Sequence, residues 1–146
     1  MIKKYILNIN TSSPEEIIIS LSKDNNSQES IQISSKNIAA KYRQSEKLLV
    51  SIDKLLSANK ISLRQLKKII VVNYGHSFTA LRIGVITANA LAYALKIPVE
   101  GDSRQAPDTN SGIKNKFKSK TFSGYSIVEP IYDREANIGL SKKSQV

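Results

Sequence analysis

The tripeptide Gly75-His76-Ser77, followed by Phe78-Thr79, holds the residue types that come nearest to a reactive site in this chain. It lies between an apolar stretch at 69–72 and a helix rich in small residues. A turn that opens a helix presents unpaired backbone N–H groups at the positive end of the helix dipole, and so suits an anion. Gly75 can supply a positive φ, and Ser77 or Thr79 can cap the helix by accepting a hydrogen bond from an orphan N–H. The pattern is not a Walker loop, since no Gly-Lys-Ser/Thr follows, and Ser77 lacks the flanking glycines of a nucleophile elbow. His76 is the single histidine, and there is no cysteine. A histidine cluster or a thiolate metal site is thereby excluded within these 146 residues. With no recognisable acid to complete a Ser–His pair, a structural turn is the favoured reading. A second pattern is basic: Lys114, Lys116, Lys118 and Lys120 alternate around Phe117. In an extended backbone the four ammonium groups point one way, as a row along a phosphate backbone requires. A flexible, solvated linker accounts for the same residues equally well.

The surrounding segments read as strands and helices that position these groups. Tyr5-Ile6-Leu7-Asn8-Ile9-Asn10 is a strand, ended by the turn-prone Thr11-Ser12-Ser13-Pro14. Ile17-Ile18-Ile19-Ser20-Leu21 is a second, Asp24-Asn25-Asn26-Ser27 reverses the chain, and Ser30-Ile31-Gln32-Ile33 alternates as a third. Short turns between them predict an antiparallel meander. A long helix is expected over residues 38–59. Leu48, Leu49, Ile52, Leu55 and Leu56 then share one face, with Glu46, Lys47, Asp53 and Lys54 for the wet side and Asn59 as the stop. Ser62-Leu63-Arg64-Gln65-Leu66 predicts a short capped turn. A strand at 67–72, a helix at 78–96 and a strand at Ile97-Pro98-Val99-Glu100 make a β-α-β unit, whose strands lie parallel through a right-handed crossover. The second helix is apolar on most sides, which predicts burial on most sides. Gly84, Ala88 and Ala92, four apart, form a smooth strip open to close approach by another helix. Arg82, Asn89, Tyr93 and Lys96 form a mixed stripe suited to an interface rim.

Length predicts one domain with a real core. The first residues carry no apolar run long enough for a signal peptide, and no segment is expected to cross a bilayer, so a cytoplasmic location is expected. Net charge is +10, from 22 Lys and Arg against 12 Asp and Glu. Such a balance favours acidic partners, nucleic acid first among them. The charge is spread along the chain, so a solubilising surface explains it about as well.

Gly75-His76-Ser77-Phe78-Thr79-Ala80-Leu81-Arg82-Ile83-Gly84, then Thr87-Ala88-Asn89-Ala90-Leu91-Ala92, resembles the G-x-G-S-F-T-G-L-R-I-G block and T-A-K-G-L-A helix of the bacterial TsaB (YeaZ-like) family. The close Ile127-Val128-Glu129-Pro130-Ile131-Tyr132-Asp133-Arg134 is similar to the E-P-x-Y-x-R end of such chains. The resemblance implies an α/β fold: one ribonuclease H-like, actin-like (ASKHA) lobe of order β-β-β-α-β-α-β with a mixed sheet, plus a C-terminal tail. It divides the chain into a lobe at 1–101, a polar and basic linker at 102–126 and a tail at 127–146, most of a second lobe being absent. Where the family usually has I-D-T-S, this chain has Ile9-Asn10-Thr11-Ser12. Asn10 is a poor ligand for a phosphate-bound Mg²⁺, and a locally bonded turn is favoured there. Catalytic relatives carry an H-x-x-x-H metal motif, which a single histidine cannot form, so no catalytic residue, metal or cofactor is expected.

By the same resemblance the chain is a non-catalytic scaffold of the tRNA threonylcarbamoyladenosine modification complex, acting on the adenosine beside the anticodon. It pairs with the catalytic subunit TsaD through a four-helix bundle, whose antiparallel neighbours need apolar seams. The expected interface is Leu48, Leu49, Ile52, Leu55, Leu56, Ile86, Asn89, Ala90 and Tyr93. Gly75, Ser77, Thr79 and Gly84 form the structural turn and cap. A TsaE-like ATPase is a further implied partner, tRNA is met through the complex, and a homodimer belongs to the family pattern. A rival expectation is an independent small basic RNA-binding module on a degenerate lobe. A self-sufficient ATPase or peptidase ranks last, because Asn10 and the lone histidine remove its usual ligands.

Overall fold

The alternation in Tyr5–Asn10 (β1) sends Leu7 and Ile9 to one side of a sheet and Asn8 and Asn10 to the other. In the computed structural model, which describes residues 2–26, 29–75, 77–102, 119–122 and 124–132, β1 is the central strand. It pairs antiparallel with β2 (Glu16–Asp24), which pairs antiparallel with β3 (Ser30–Ala39). On its other side β1 runs parallel to β4 (Leu66–Val71), and β4 parallel to β6 (Val99–Gly101). The order β3-β2-β1-β4-β6 is the expected meander joined to a β-α-β unit. β5 (Tyr74–Gly75) follows β4 directly and stands outside this sheet.

The first helix is shorter than expected. α1 spans Gln44–Ala58, while residues 38 and 39 continue β3, with Ile38 opposite Ile17. An apolar run such as Ile38-Ala39-Ala40 fits either period; pairing with β2 decides it, because Ile38 then packs against the core. Tyr42, at φ 60, turns the chain before α1 begins. Ser62 and Gln65 form the expected capping box on a short turn at Leu63–Gln65, with the Ser62 N–H donating to Gln65 Oε1 at 3.0 Å.

α2 (Phe78–Leu95) makes the crossover. Leu48, Ile52, Leu55 and Leu56 of α1 share one buried cluster with Val85, Ala88 and Ala92 of α2 and with Leu7, Ile19 and Ile69 of the sheet. Both helices therefore cover the same sheet face. By length and mean hydropathy (1.4), α2 is apolar enough to cross a bilayer, which corrects the expectation that no segment approaches that span. Here its apolarity serves the core: Leu81, Val85, Ala88 and Ala92 lie against the sheet side of the lobe.

β3 forms the outer edge. Its register on β2 shifts between the Leu21–Ser34 and Ser22–Gln32 pairs, leaving Ile33 as an extra residue in a bulge. Near the end of the described chain, β7 (Lys120–Phe122) and β8 (Tyr125–Ile127) form a hairpin, with Gly124 at φ 84 in its turn. β9 (Ile131–Tyr132) then pairs parallel with β5. Val128 enters the main core cluster, so the tail folds back on the lobe.

Candidate partner interface

The Gly75 turn is structural, although not in the way the sequence suggests. Gly75 does not adopt a positive φ; it is half-buried in β5, opposite Tyr132. Ser77 is the N-cap of α2, but its side chain makes no capping bond; its carbonyl accepts from the Leu81 N–H at 3.0 Å. Thr79 sits exposed in the first helical turn. Stabilisation comes instead from Thr11, fully buried, whose Oγ1 donates to the Ala80 carbonyl at 2.6 Å. Thr11 also explains Gly84, since a Cβ there would collide with Thr11 Oγ1 and lie 3.2 Å from its Cγ2. The strip Gly84, Ala88, Ala92 thus faces inward and is not open to a second helix, because the end of β1 occupies the space. His76 lies outside the described residues.

Asn10 behaves as a turn residue. Its Oδ1 accepts from the Ser12 N–H at 2.9 Å and from Ser12 Oγ at 2.7 Å. Beside it a shallow hollow of about 300 Å³, lined by Asn8, Asn10, Ser20, Ile70 and Asp102, opens on the helix-free side of the sheet. Among the described residues no group of three or more His, Cys, Asp or Glu is placed to hold a metal ion.

The interface expected from sequence divides in two. Leu48, Ile52, Leu55 and Leu56 are 0–3% exposed and belong to the core. Their helical face is the one that meets the sheet, which corrects their assignment to an outer seam. Leu49 (55% exposed), Ile86 (62%) and Tyr93 (58%) point outward, and Ala90 is exposed between the latter two. Ile86, Ala90 and Tyr93 stand at i, i+4 and i+7 and so form one apolar stripe along α2. Val50, exposed on α1, is a residue the sequence reading missed; its neighbours in sequence gave no sign of which way it points.

Asn89 has a different task. Its Nδ2 donates to the Val128 carbonyl at 2.8 Å, and its Oδ1 accepts from the Val128 N–H at 2.9 Å. One side-chain amide thus satisfies both backbone groups of a tail residue, as a neighbouring strand would. Asn73 adds a second clamp: its Nδ2 donates to the Glu129 carbonyl at 2.8 Å, and its own carbonyl accepts from the Ile131 N–H at 2.6 Å. Tyr125 lies on Tyr93, with ring centroids 4.5 Å apart. The tail therefore covers one flank of α2 and leaves Ile86 and Ala90 open. Lys120, the one described member of the lysine row, is exposed and pairs with Glu129 at 3.0 Å. Lys114, Lys116 and Lys118 lie outside the described residues.

Solved structures share the fold. YeaZ from Pseudomonas aeruginosa superposes with a TM-score of 0.58 at 23% identity, over 68% of this chain and 43% of that one. The chain has the YeaZ fold. A structure of an uncharacterized protein with similarity to peptidase YEAZ, also from Pseudomonas aeruginosa, gives the same score, identity and coverage. The chain thus spans less than half the length of these YeaZ structures. Residues 31–101 match the family model described as TsaD, tRNA N6-adenosine threonylcarbamoyltransferase. No curated protein matches the sequence.

Proposed function

We propose that this YeaZ-like lobe is a non-catalytic scaffold subunit that pairs with a TsaD-like catalytic subunit in threonylcarbamoylation of the tRNA adenosine beside the anticodon. The reading rests on the outer stripe of α2, where Ile86, Ala90 and Tyr93 stay exposed although the same helix supplies much of the core. An apolar stripe at helical spacing fits packing against a partner helix. The family match at 31–101 supports the same system, since that family's name specifies the transferase. With His76 as the chain's single histidine, the H-x-x-x-H metal motif of catalytic relatives cannot form here, so the partner performs the chemistry. A TsaE-like ATPase, ATP and metal belong to that larger assembly, in the cytoplasm with its tRNA; a homodimer is an alternative use of the same stripe.

Co-expression with the TsaD-like subunit of the same genome tests this. A stable heterodimer is expected, with Ile86→Asp and Leu49→Asp weakening it at least tenfold while leaving the thermal midpoint unchanged. A monodisperse chain that ignores that subunit at micromolar concentration overturns the reading. The net charge of +10 favours a second reading, an independent RNA-binding module. That module predicts salt-dependent tRNA binding by the isolated chain with no catalytic partner at all.

A further inference from the structure

Both helices end in the same unusual way. After α1, Lys60 sits at φ 56 and the Ile61 N–H donates to the Leu56 carbonyl at 3.0 Å; after α2, Lys96 sits at φ 55 and the Ile97 N–H donates to the Ala92 carbonyl at 3.0 Å. Each is a Schellman-type close, whose left-handed residue is usually glycine because a Cβ is disfavoured there. Lysine twice in that position is a local disadvantage that calls for a use. Both lysines are exposed, and both lie at the end of the molecule where β1 and β4 begin.

That end gathers further cations. Lys3 and Lys4 lead into β1, with the Lys4 N–H on the Gln65 carbonyl at 3.1 Å and the Lys4 carbonyl accepting from Asp24 at 2.9 Å. Lys23 lies opposite Tyr5, Arg64 is exposed on the capped turn, and Lys3 Nζ reaches the Leu95 carbonyl beside Lys96. Two of the local carboxylates are already engaged, Asp24 by Lys67 and Glu100 by Lys68 at 3.3 Å. Among the described residues Glu29, just before β3, is the remaining acid of this end. Among the described residues Lys23, Lys60, Arg64 and Lys96 have no carboxylate partner.

We propose that this end of the lobe, centred on Lys60, Arg64 and Lys96, is a docking surface for the phosphate backbone of RNA. Charge complementarity names the occupant: a broad, carboxylate-poor set of cations on successive strand and helix ends matches a polyanion that is itself extended. An anionic membrane fits less well, because the large exposed apolar residues of this end among the described residues, Ile2, Ile31 and Leu63, sit on three separate segments, and the turn at Leu63–Gln65 is too short for an amphipathic anchor. That the RNA is tRNA rests on the function proposed above; the phosphate-reading surface does not.

The test is binding of an unmodified tRNA transcript to the full chain between 50 and 200 mM salt, for wild type, Lys60→Gly/Lys96→Gly and Lys41→Gln/Lys54→Gln. Both variants lose two charges, so net charge is matched. The glycine pair is expected to raise the thermal midpoint, to lower affinity several-fold and to reduce the salt slope by about two, as loss of two phosphate contacts requires. The glutamine pair is expected to bind like wild type. Equal loss in both variants overturns the proposal, since net charge then suffices. A glycine pair that is less stable and binds tRNA unchanged also overturns it, since the lysines then serve only the helix dipoles. Binding to vesicles of anionic lipid without binding to tRNA does the same. Pairing with the catalytic subunit is read separately on the glycine variant, where it is expected to persist. Wild type that fails to pair yet shows the tRNA pattern removes the scaffold reading and leaves this surface standing.

Discussion

The two helices cover one face of one sheet, yet they divide their surfaces differently. α1 buries one side, with Leu48, Ile52, Leu55 and Leu56 in the core, and its outer face mixes charge, such as Glu46, Asp53 and Lys54, with the exposed Leu49 and Val50. α2 has three sides in use. Gly84, Ala88 and Ala92 meet the sheet, Asn89 holds the tail, and Ile86 with Ala90 faces outward. An apolar residue on α1 is therefore mostly explained by the core, whereas one on α2 needs its side specified before it means anything.

The sharpest break in that comparison is Leu55→Ala on α1, expected to cost roughly 2–5 kcal/mol of stability because the side chain is fully enclosed. Gly84→Ala on the inner side of α2 is expected to cost about 1–3 kcal/mol by overpacking against Thr11 and disturbing its bond to Ala80. Gly75→Ala, whose Cβ would meet nothing nearer than 3.6 Å, is the tolerated counterpart. Chemical denaturation of the three variants ranks them. On the tail side, Asn89→Ala is expected to cost about 1–3 kcal/mol and to raise amide exchange at Val128, whose N–H and carbonyl both lose their partner. Leu49→Ala is expected to change stability by no more than about 0.5 kcal/mol.

The smallest effect is electrostatic. Hydrogen bonding from Lys67, and then from the Asn26 N–H, holds the Asp24 carboxyl below its usual range. A lowered carboxyl pKa adds stability above the unfolded value and loses it as pH falls through the folded one. Wild type is expected to lose a small increment in acid that Asp24→Asn lacks throughout, read from unfolding midpoints at pH 6 and pH 3.

Much of the lobe is legible in the sequence for physical reasons. The meander and the β-α-β unit follow from period-two strands and one long apolar helix, and β4 and β6 pair as expected. Ile38 was ambiguous because a short apolar run carries no period of its own, and only its partner Ile17 decides. The interface was legible in type and not in side: sequence spacing groups Leu48 with Leu49, while packing buries the first and exposes the second. Asn89 reads as a departure from the family's usual Lys, and nothing near it in sequence announces Val128, its partner in the tail. The sequence suggests a φ requirement at Gly75, whereas the steric requirement sits at Gly84, set by the remote Thr11.

The bulge at Ile33 has a bearing on handling the protein. β3 is ten residues long and lies on the rim of the sheet, the kind of free strand that recruits further strands into fibrils at high concentration. The surplus residue and the ammonium of Lys36 spoil a straight template at mid-strand. Deleting Ile33 or neutralising Lys36 would turn that rim into a nucleus for precipitation while leaving the folded lobe otherwise intact.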